Sequence, residues 1–427
     1  MSAVVKRRSS SRTSARESKK AEKDASDSAD SPIARVLHAD ATAAIVLEHK
    51  PVSKKSIIVR TVTACLMTGA YMIMLLSGHL YCILAGVCTQ VELFRELVNV
   101  RYSAAKEREI PFFRTIQWCW FFVAMGWVYG ERLHAFCMER EAFAYLLPFT
   151  SQTATIVFVC YCILFVVSVL TLRQSVVKFQ LGQYIWTIVI ICLVVLQCKF
   201  FASYTLKGLF WFWFPMATVV MNDVSAYFCG ITMGRKYIKR PFIALSPNKT
   251  WEGFLGAFVL TLVFSFFFPA LLAKFSWLTC PAAGLYIKPF PPALVCEPHW
   301  VFTVTTYNLN WRIFKLVGIS SITILPIQLH GLAYGLFASV IAPFGGFFAS
   351  AIKRAYEIKD FDSIFPGHGG MMDRMDCQLL MMTFTSFHYK YFINSEVPSV
   401  QYMLSMVATM AHADQLQLLR ELTTKLK

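Results

Sequence analysis

Residues 57–98 read IIVRTVTACLMTGAYMIMLLSGHLYCILAGVCTQVELFRELV. One bilayer crossing needs about 20 apolar residues, so this run is roughly twice as long as a single span requires. Ser77-Gly78-His79 in its middle supplies a turn signal. Loop charge separates the two readings. A single span would put the 101–114 loop, bounded by Arg101 and Arg114, across the membrane from the basic residues that precede Ile57. A hairpin returns both basic segments to one side, as the Lys/Arg excess of cytosolic loops requires. The chain is therefore expected to enter the membrane as a helical hairpin that sets the parity of everything after it.

The rest of the composition agrees. The 427-residue chain is 56% hydrophobic and 15% charged, whereas soluble domains run at roughly 45–50% apolar. Further apolar stretches occur at 115–130, 151–171, 183–199, 208–232, 253–273, 331–350 and 376–393. The expected fold is all-α: a polytopic integral membrane protein with about nine transmembrane helices. The expected division is a disordered basic, Ser-rich tail over 1–56, N-terminal membrane helices over 57–200, a second membrane core over 201–394 and an interfacial helix within 395–427. The tail lacks the apolar core of a signal peptide, and Glu17, Glu22, Asp24, Asp27 and Asp30 argue against a mitochondrial presequence. Its amphipathic counterpart at the other end, DQLQLLRELTTKLK, ends the chain.

With the tail cytosolic, the loops at 99–114, 172–182, 233–252 and 351–375 fall on the cytosolic side. The last two hold Arg235, Lys236, Lys239, Arg240 and Lys249, then Lys353, Arg354 and Lys359. Segment 274–330 becomes lumenal. It contains Cys280 and Cys296, which are a disulfide or two free thiols, and its stretch 311–325 reads alternatively as another embedded helix. The remaining cysteines, of 13 in all, are scattered through apolar segments as small hydrophobes with no metal-site spacing. The net charge of +16 suits anionic lipid and phosphate substrates. Nucleic acid is not expected, because the basic residues flank apolar spans.

One loop is too rich in chemistry for a plain connector. Residues 350–377 read SAIKRAYEIKDFDSIFPGHGGMMDRMDC. Cations precede a glycine turn, and Asp373 and Asp376 follow at i,i+3, on one face of a helix. That order suits phosphate plus a divalent metal, with the Gly-Gly backbone approaching the ligand and aiming N–H groups at it. Asp223, in VVMNDVSAYFCG within an apolar span, is a functional-site candidate by its location alone. The other reading is a structural acid paired with a cation from another helix. Residues 246–253, SPNKTWEG, open the next span, with Ser246 or Thr250 as N-cap and Glu252 in the first turn. Glu92 and Glu96, one turn apart, read with Arg95 as an interfacial helix face. His79, His330 and His388 have no partner at metal-ligand spacing. GxxxxGK[ST] and HExxH are both absent.

The 350–377 stretch resembles the signature of the CDP-diacylglycerol synthases, or phosphatidate cytidylyltransferases. It matches at Ser350, Lys353, Arg354, Lys359, Asp360, Pro366, His368, Gly369, Gly370, Asp373, Arg374 and Asp376, and departs at Asp362, where the family has a small residue. The 223–230 stretch is similar to the family's Asp-x-x-Ala-Tyr-Phe-x-Gly element, and 246–253 to its Ser-Pro-Lys-Lys-Thr-x-Glu-Gly element, with Asn248 in place of one lysine. Gly346 stands where bacterial members carry an acid and eukaryotic members resemble this chain. That removes one metal ligand, for which Asp362 is a candidate substitute.

The resemblance implies transfer of CMP from CTP to phosphatidate by a magnesium-dependent homodimer, with a second, monovalent cation an open question. It implies a pocket opening to the cytosolic leaflet, in the endoplasmic reticulum. Asp223, Asp373 and Asp376 would bind the metal, with Asp360 beside them. Lys353, Arg354 and His368 would act in catalysis. Ser246, Lys249, Ser350, Lys359, Gly369, Gly370 and Arg374 would bind the phosphates of the two substrates. A CTP-dependent lipid kinase, distantly similar, and a transporter using Asp223 as an ion site are the alternatives.

Overall fold

The structure, a computed structural model, describes residues 54–102, 110, 112–243, 246, 249–282, 285–291, 294–308, 321–394, 404, 407–408 and 410–425. The tail before residue 54 and Asn248 lie outside these. The chain runs through helices α1 (Lys54–Ser77), α2 (His79–Asn99), α3 (Phe113–Met138), α4 (Thr153–Leu170), α5 (Val177–Ile191), α6 (Phe210–Met233) and α7 (Trp251–Leu272). A two-stranded ribbon follows, β1 (Thr305–Asn308) and β2 (Ser321–Ile324). Helices α8 (Pro326–Val340), α9 (Pro343–Ala355), α10 (Met372–His388) and α11 (His412–Lys425) complete it.

The expected hairpin forms. Gly78 alone separates α1 from α2, at φ 105°, a conformation glycine adopts without the strain of a Cβ. The Cys82 thiol reaches the Met74 carbonyl at 3.6 Å, which happens only if the chain reverses. Four helical runs are long and apolar enough to cross a membrane by length and composition: Thr153–Leu170, Gln174–Leu206, Trp251–Leu272 and Pro326–Ala355. Helices α1, α2, α3, α6 and α10 occupy the other stretches expected to cross. On α4 only Leu164 and Ser168 are buried, while Phe158, Ile163, Phe165, Val166 and Leu170 are exposed. An apolar surface of that extent on one helix needs lipid, not water, around it.

Close helix packing builds the centre. At Gly256 a Cβ would fall 2.6 Å from the Cys229 sulfur, and at Gly335 one would fall 2.1 Å from Ser265 Oγ. Small residues thus let α6, α7 and α8 approach nearly backbone to backbone, the packing that holds helices together where lipid offers no hydrophobic drive. Behind them the aromatic rings of Phe210, Phe214 and Tyr334 pack in sequence, with 5.3 Å between successive centroids.

One expectation changes, and readings left open at 274–330 are decided. The 331–350 stretch is two helices, α8 and α9, parted just before Pro343, whose ring and missing N–H disfavour an uninterrupted helix. The 274–330 segment is ordered by the Cys280–Cys296 disulfide and by the antiparallel pair of β1 and β2, with Thr305 opposite Ile324 and Asn308 opposite Ser321. Residues 321–324 are therefore strand rather than embedded helix; 309–320 lie outside the described residues. At the C-terminus α11 forms, and none of its residues is buried.

Candidate active site

The glycine turn is built by its own sequence. His368 N–H donates to the Phe365 carbonyl at 2.9 Å, closing a turn with Pro366 and Gly367 at its corners. Gly367 has φ 75°; proline at the first corner and a positive φ at the second define a type II turn. Phe365 and Gly369 then pair as a short bridge, and Gly369 takes φ 80°. A Cβ at Gly369 would lie 2.7 Å from Asp373 Oδ2 and 3.3 Å from Asp360 Oδ1. The glycine admits the chain's own carboxylates.

Asp373 is the hub of this loop. Its Oδ1 lies 2.6 Å from Lys353 Nζ. Its Oδ2 accepts from Phe361 N–H at 3.1 Å and Gly370 N–H at 3.0 Å. Its side chain is 4% exposed, so a carboxylate nearly out of water is neutralised by one cation and two backbone donors, as burial demands. The Gly370 N–H, expected to face a phosphate, is thereby engaged within the loop.

Asp376 stands one turn further along α10. Its Oδ1 accepts from Cys377 N–H at 2.7 Å. Helix α9 lies directly against it: a Cβ at Gly345 would sit 2.3 Å from the Asp376 carbonyl oxygen, and one at Gly346 would sit 3.3 Å from Asp376 Oδ2. An acid at position 346 would therefore reach this carboxylate. Asp362 does not replace it, since Asp362 Oδ2 is held by Arg95 at 2.8 Å and Oδ1 by Ser363 N–H at 2.7 Å.

Asp223, from α6, lies within Coulomb range of Asp376, of the Lys249 ammonium and of the Arg374 guanidinium. Three chain segments far apart in sequence thus converge. Thr250 is the N-cap of α7, its Oγ1 accepting from Gly253 N–H at 3.1 Å, and Lys249 is the residue before it. Glu252 reaches back to accept from the N–H groups of Arg235, Tyr237 and Ile238 at 3.2, 3.0 and 2.7 Å. The loop leaving α6 is thereby clamped to the start of α7, beside Lys249. Ser246 lies in the intervening turn, its carbonyl accepting from Lys249 N–H at 3.1 Å.

The remaining expected residues take these places. Ser350 Oγ donates to the Gly346 carbonyl at 2.8 Å, inside α9. Arg354, Lys359, Asp360 and Arg374 are exposed. His368 Nδ1 lies 3.5 Å from the Pro366 carbonyl.

Among the described residues no three His, Cys, Asp or Glu side chains gather into a metal cage. Magnesium rarely wants one: it is commonly held by one or two carboxylates, with waters and substrate phosphates completing the octahedron. Asp223 and Asp376, on adjoining helices α6 and α10, fit that donor set. Asp373 instead has both oxygens engaged within the loop, by Lys353, Phe361 N–H and Gly370 N–H.

Sequence reasoning missed Glu96. It is fully buried, and its two oxygens accept from Met371 and Met372 N–H at 2.7 Å each. The signal was present, because an acid inside an apolar span is as costly at 96 as at 223. It also missed a pair at the other end of α10, where His330 Nδ1 lies 3.1 Å from His388 Nε2.

Comparison with known proteins bears on the same segments. The sequence model of the Cytidylyltransferase family matches residues 58–392. The chain is 39% identical over 360 residues to phosphatidate cytidylyltransferase 1 of Arabidopsis thaliana, covering 83% of this chain and 84% of that one. It is 37% identical over 399 residues to phosphatidate cytidylyltransferase of Saccharomyces cerevisiae, at 90% and 85% coverage, and 34% identical over 345 residues to phosphatidate cytidylyltransferase 2 of Homo sapiens, at 80% and 76%. The match spans α1 to α10 and so takes in Asp223, Lys249 and the whole 350–377 loop: this chain belongs to the cytidylyltransferase family.

Proposed function

We propose that this protein transfers the cytidylyl group of CTP to phosphatidate, giving CDP-diacylglycerol and pyrophosphate. The carrying observation is the convergence of α6, the start of α7 and α10, which brings Asp223 and Asp376 within electrostatic reach of each other and Asp223 within reach of Lys249 and Arg374.

The chemistry asks for little covalent help. A phosphate oxygen of phosphatidate attacks the α-phosphorus of CTP; the bond from that phosphorus to the oxygen bridging the β-phosphorus breaks, and pyrophosphate leaves with the electron pair. The nucleophile is already anionic at neutral pH, so no protein nucleophile is needed. The barrier lies in bringing two polyanions together and keeping entering and leaving oxygens in line, and preorganised positive charge lowers it. Lys249 and Arg374 supply cations beside the acid pair, and Arg354, Lys359 and His368 border the same loop. Lys353 acts through Asp373, whose carboxylate it fixes. Asp223 and Asp376 would hold magnesium, which when bound neutralises phosphate charge and polarises the phosphorus under attack. Ser246 and Ser350 would contact the substrate phosphates from the turn before α7 and from α9.

On this reading the product feeds phosphatidylinositol, phosphatidylglycerol and cardiolipin synthesis. The protein works as a homodimer in the endoplasmic reticulum membrane, its N-terminus and signature loop on the cytosolic side and α11 on the membrane surface. Support for this comes from the distribution of basic loops and from the family.

The test is isotopic. Purified protein, phosphatidate and magnesium are given CTP labelled at the α- or the γ-phosphate. Label entering lipid from the α position and not the γ position supports the reading. Lipid labelled from the γ position would make the protein a CTP-dependent lipid kinase instead.

A further inference from the structure

We propose that Glu96 is a positioning residue for the transfer: from α2 it fixes the start of α10, and with it the rotational setting of Asp376, while its neighbour Arg95 tethers the other arm of the signature loop. This rests on the cytidylyltransferase reading above.

Helix α10 begins without a cap of its own, since no side chain of its N-cap residue accepts from its first turn. The first N–H groups of any helix lack intrahelical partners, and here they lie inside the protein. Glu96 supplies the missing acceptors from 275 residues away, one oxygen to Met371 N–H and the other to Met372 N–H, both at 2.7 Å. A carboxylate with two oxygens on two successive N–H groups defines a rotation as well as a contact. Successive helical residues differ by about 100° around the axis, so a slip of one position would turn Asp376 away from the α9 glycines it packs against.

Two further observations agree. Gly370 has no room for a side chain, because a Cβ there would meet Glu96 Oε1 at 2.6 Å and Asp362 N at 2.8 Å. The glycine next to the helix is therefore required by the Glu96 contact. Arg95, the adjoining residue, binds Asp362 at 2.8 Å and Glu92 at 2.8 Å. Consecutive residues of α2 thus hold the loop at 362 and at 371–372, on either side of the Pro-Gly-His-Gly-Gly turn. Leu93, Phe94, Leu97 and Val98 around them are buried, so the anchor itself is rigidly packed. The N-terminal hairpin, which carries none of the signature, becomes part of the catalytic framework.

The experiment uses the full chain in detergent or lipid. In Glu96→Gln one N–H keeps an oxygen acceptor and the other faces an amide NH₂. If Glu96 positions α10, kcat falls on the order of 10- to 100-fold, the loss expected for misplacing reacting groups by about an ångström. KM for CTP stays within about threefold, as for an interaction made only in the transition state. Amide hydrogen exchange over 371–376 accelerates, and exchange over 218–226 does not. A lower thermal midpoint with parental kcat per folded molecule would mean a structural role alone and would overturn the proposal. Should Glu96→Gln fail to fold, Asp362→Asn carries the test through the Arg95 tether: reduced kcat with faster loop exchange supports the proposal, and parental values in both overturn it. Failure of the function reading looks different, since the unmodified protein would then transfer no α-label to phosphatidate while the exchange comparison still reports on positioning.

Discussion

Lys353 Nζ and Asp373 Oδ1 stand 2.6 Å apart, tying the last turn of α9 to the first turn of α10. The lysine also lies 5.6 Å from the ring centroid of Phe361, whose N–H binds the same carboxylate at 3.1 Å. The pair is only partly shielded, with 21% of the lysine and 4% of the aspartate side chain exposed. Removing one member leaves the other without its partner, which costs about 3–5 kcal/mol when the site is dry and less where water reaches it.

Asp373→Asn is accordingly expected to abolish turnover while the protein still inserts and folds. Lys353→Met should lose activity on the order of 100-fold through the same displaced loop. Steady-state rates of detergent-purified variants, normalised to folded protein by size-exclusion profile, check both. Near-normal rates for Asp373→Asn would remove this carboxylate from the machinery.

Adjacent glycines separate packing from polarity. Gly345→Ala places a Cβ 2.3 Å from a backbone oxygen of Asp376, whereas Gly346→Ala places one 3.3 Å from its movable carboxylate. Backbone cannot yield locally, so the first change must push α9 off α10, and a side chain can swing by a few tenths of an ångström. Gly345→Ala should lose activity on the order of 100-fold or more, and Gly346→Ala no more than about tenfold. Equal activities would show that the two helices do not need this closeness.

Much of this was legible in the sequence because it depends on local pattern. The hairpin at Gly78 and the Thr250 cap followed from hydropathy and turn residues. What was not legible depends on contacts between distant segments. The Pro-Gly-His-Gly-Gly turn has the composition of a phosphate cradle, yet its glycines make room for Asp373, Asp360 and Glu96. No spacing rule links Glu96 to Met371. The 305–308 and 321–324 strands are four residues each, too short for alternation to stand out from loop.

Glu252 tests the clamp beside Lys249. Its carboxylate accepts from three backbone N–H groups of the 235–238 loop, a set that Gln cannot fully reproduce because half its amide is a donor. Glu252→Gln should loosen that loop, speeding tryptic cleavage at the already exposed Lys236 and Lys239, and should lower activity about tenfold. Protection equal to the parent's would show the clamp to be dispensable.

The acid pair admits the most direct examination. If Asp223 and Asp376 hold a metal together, they act as one unit, and the effects of removing each should not add. Asp223→Asn and Asp376→Asn are each expected to lose at least about 1,000-fold in kcat, the scale of a lost electrostatic stabiliser at a reacting phosphate. The double variant should be no worse than either alone within about threefold. Each single variant should also need more magnesium for half its residual rate, and chelation should silence the parent. Additive losses would mean that the two carboxylates do separate jobs, one of them away from the metal. An unchanged magnesium requirement in both single variants would be more damaging, because it would leave two negative charges on neighbouring membrane helices without the ion that offsets their electrostatic cost.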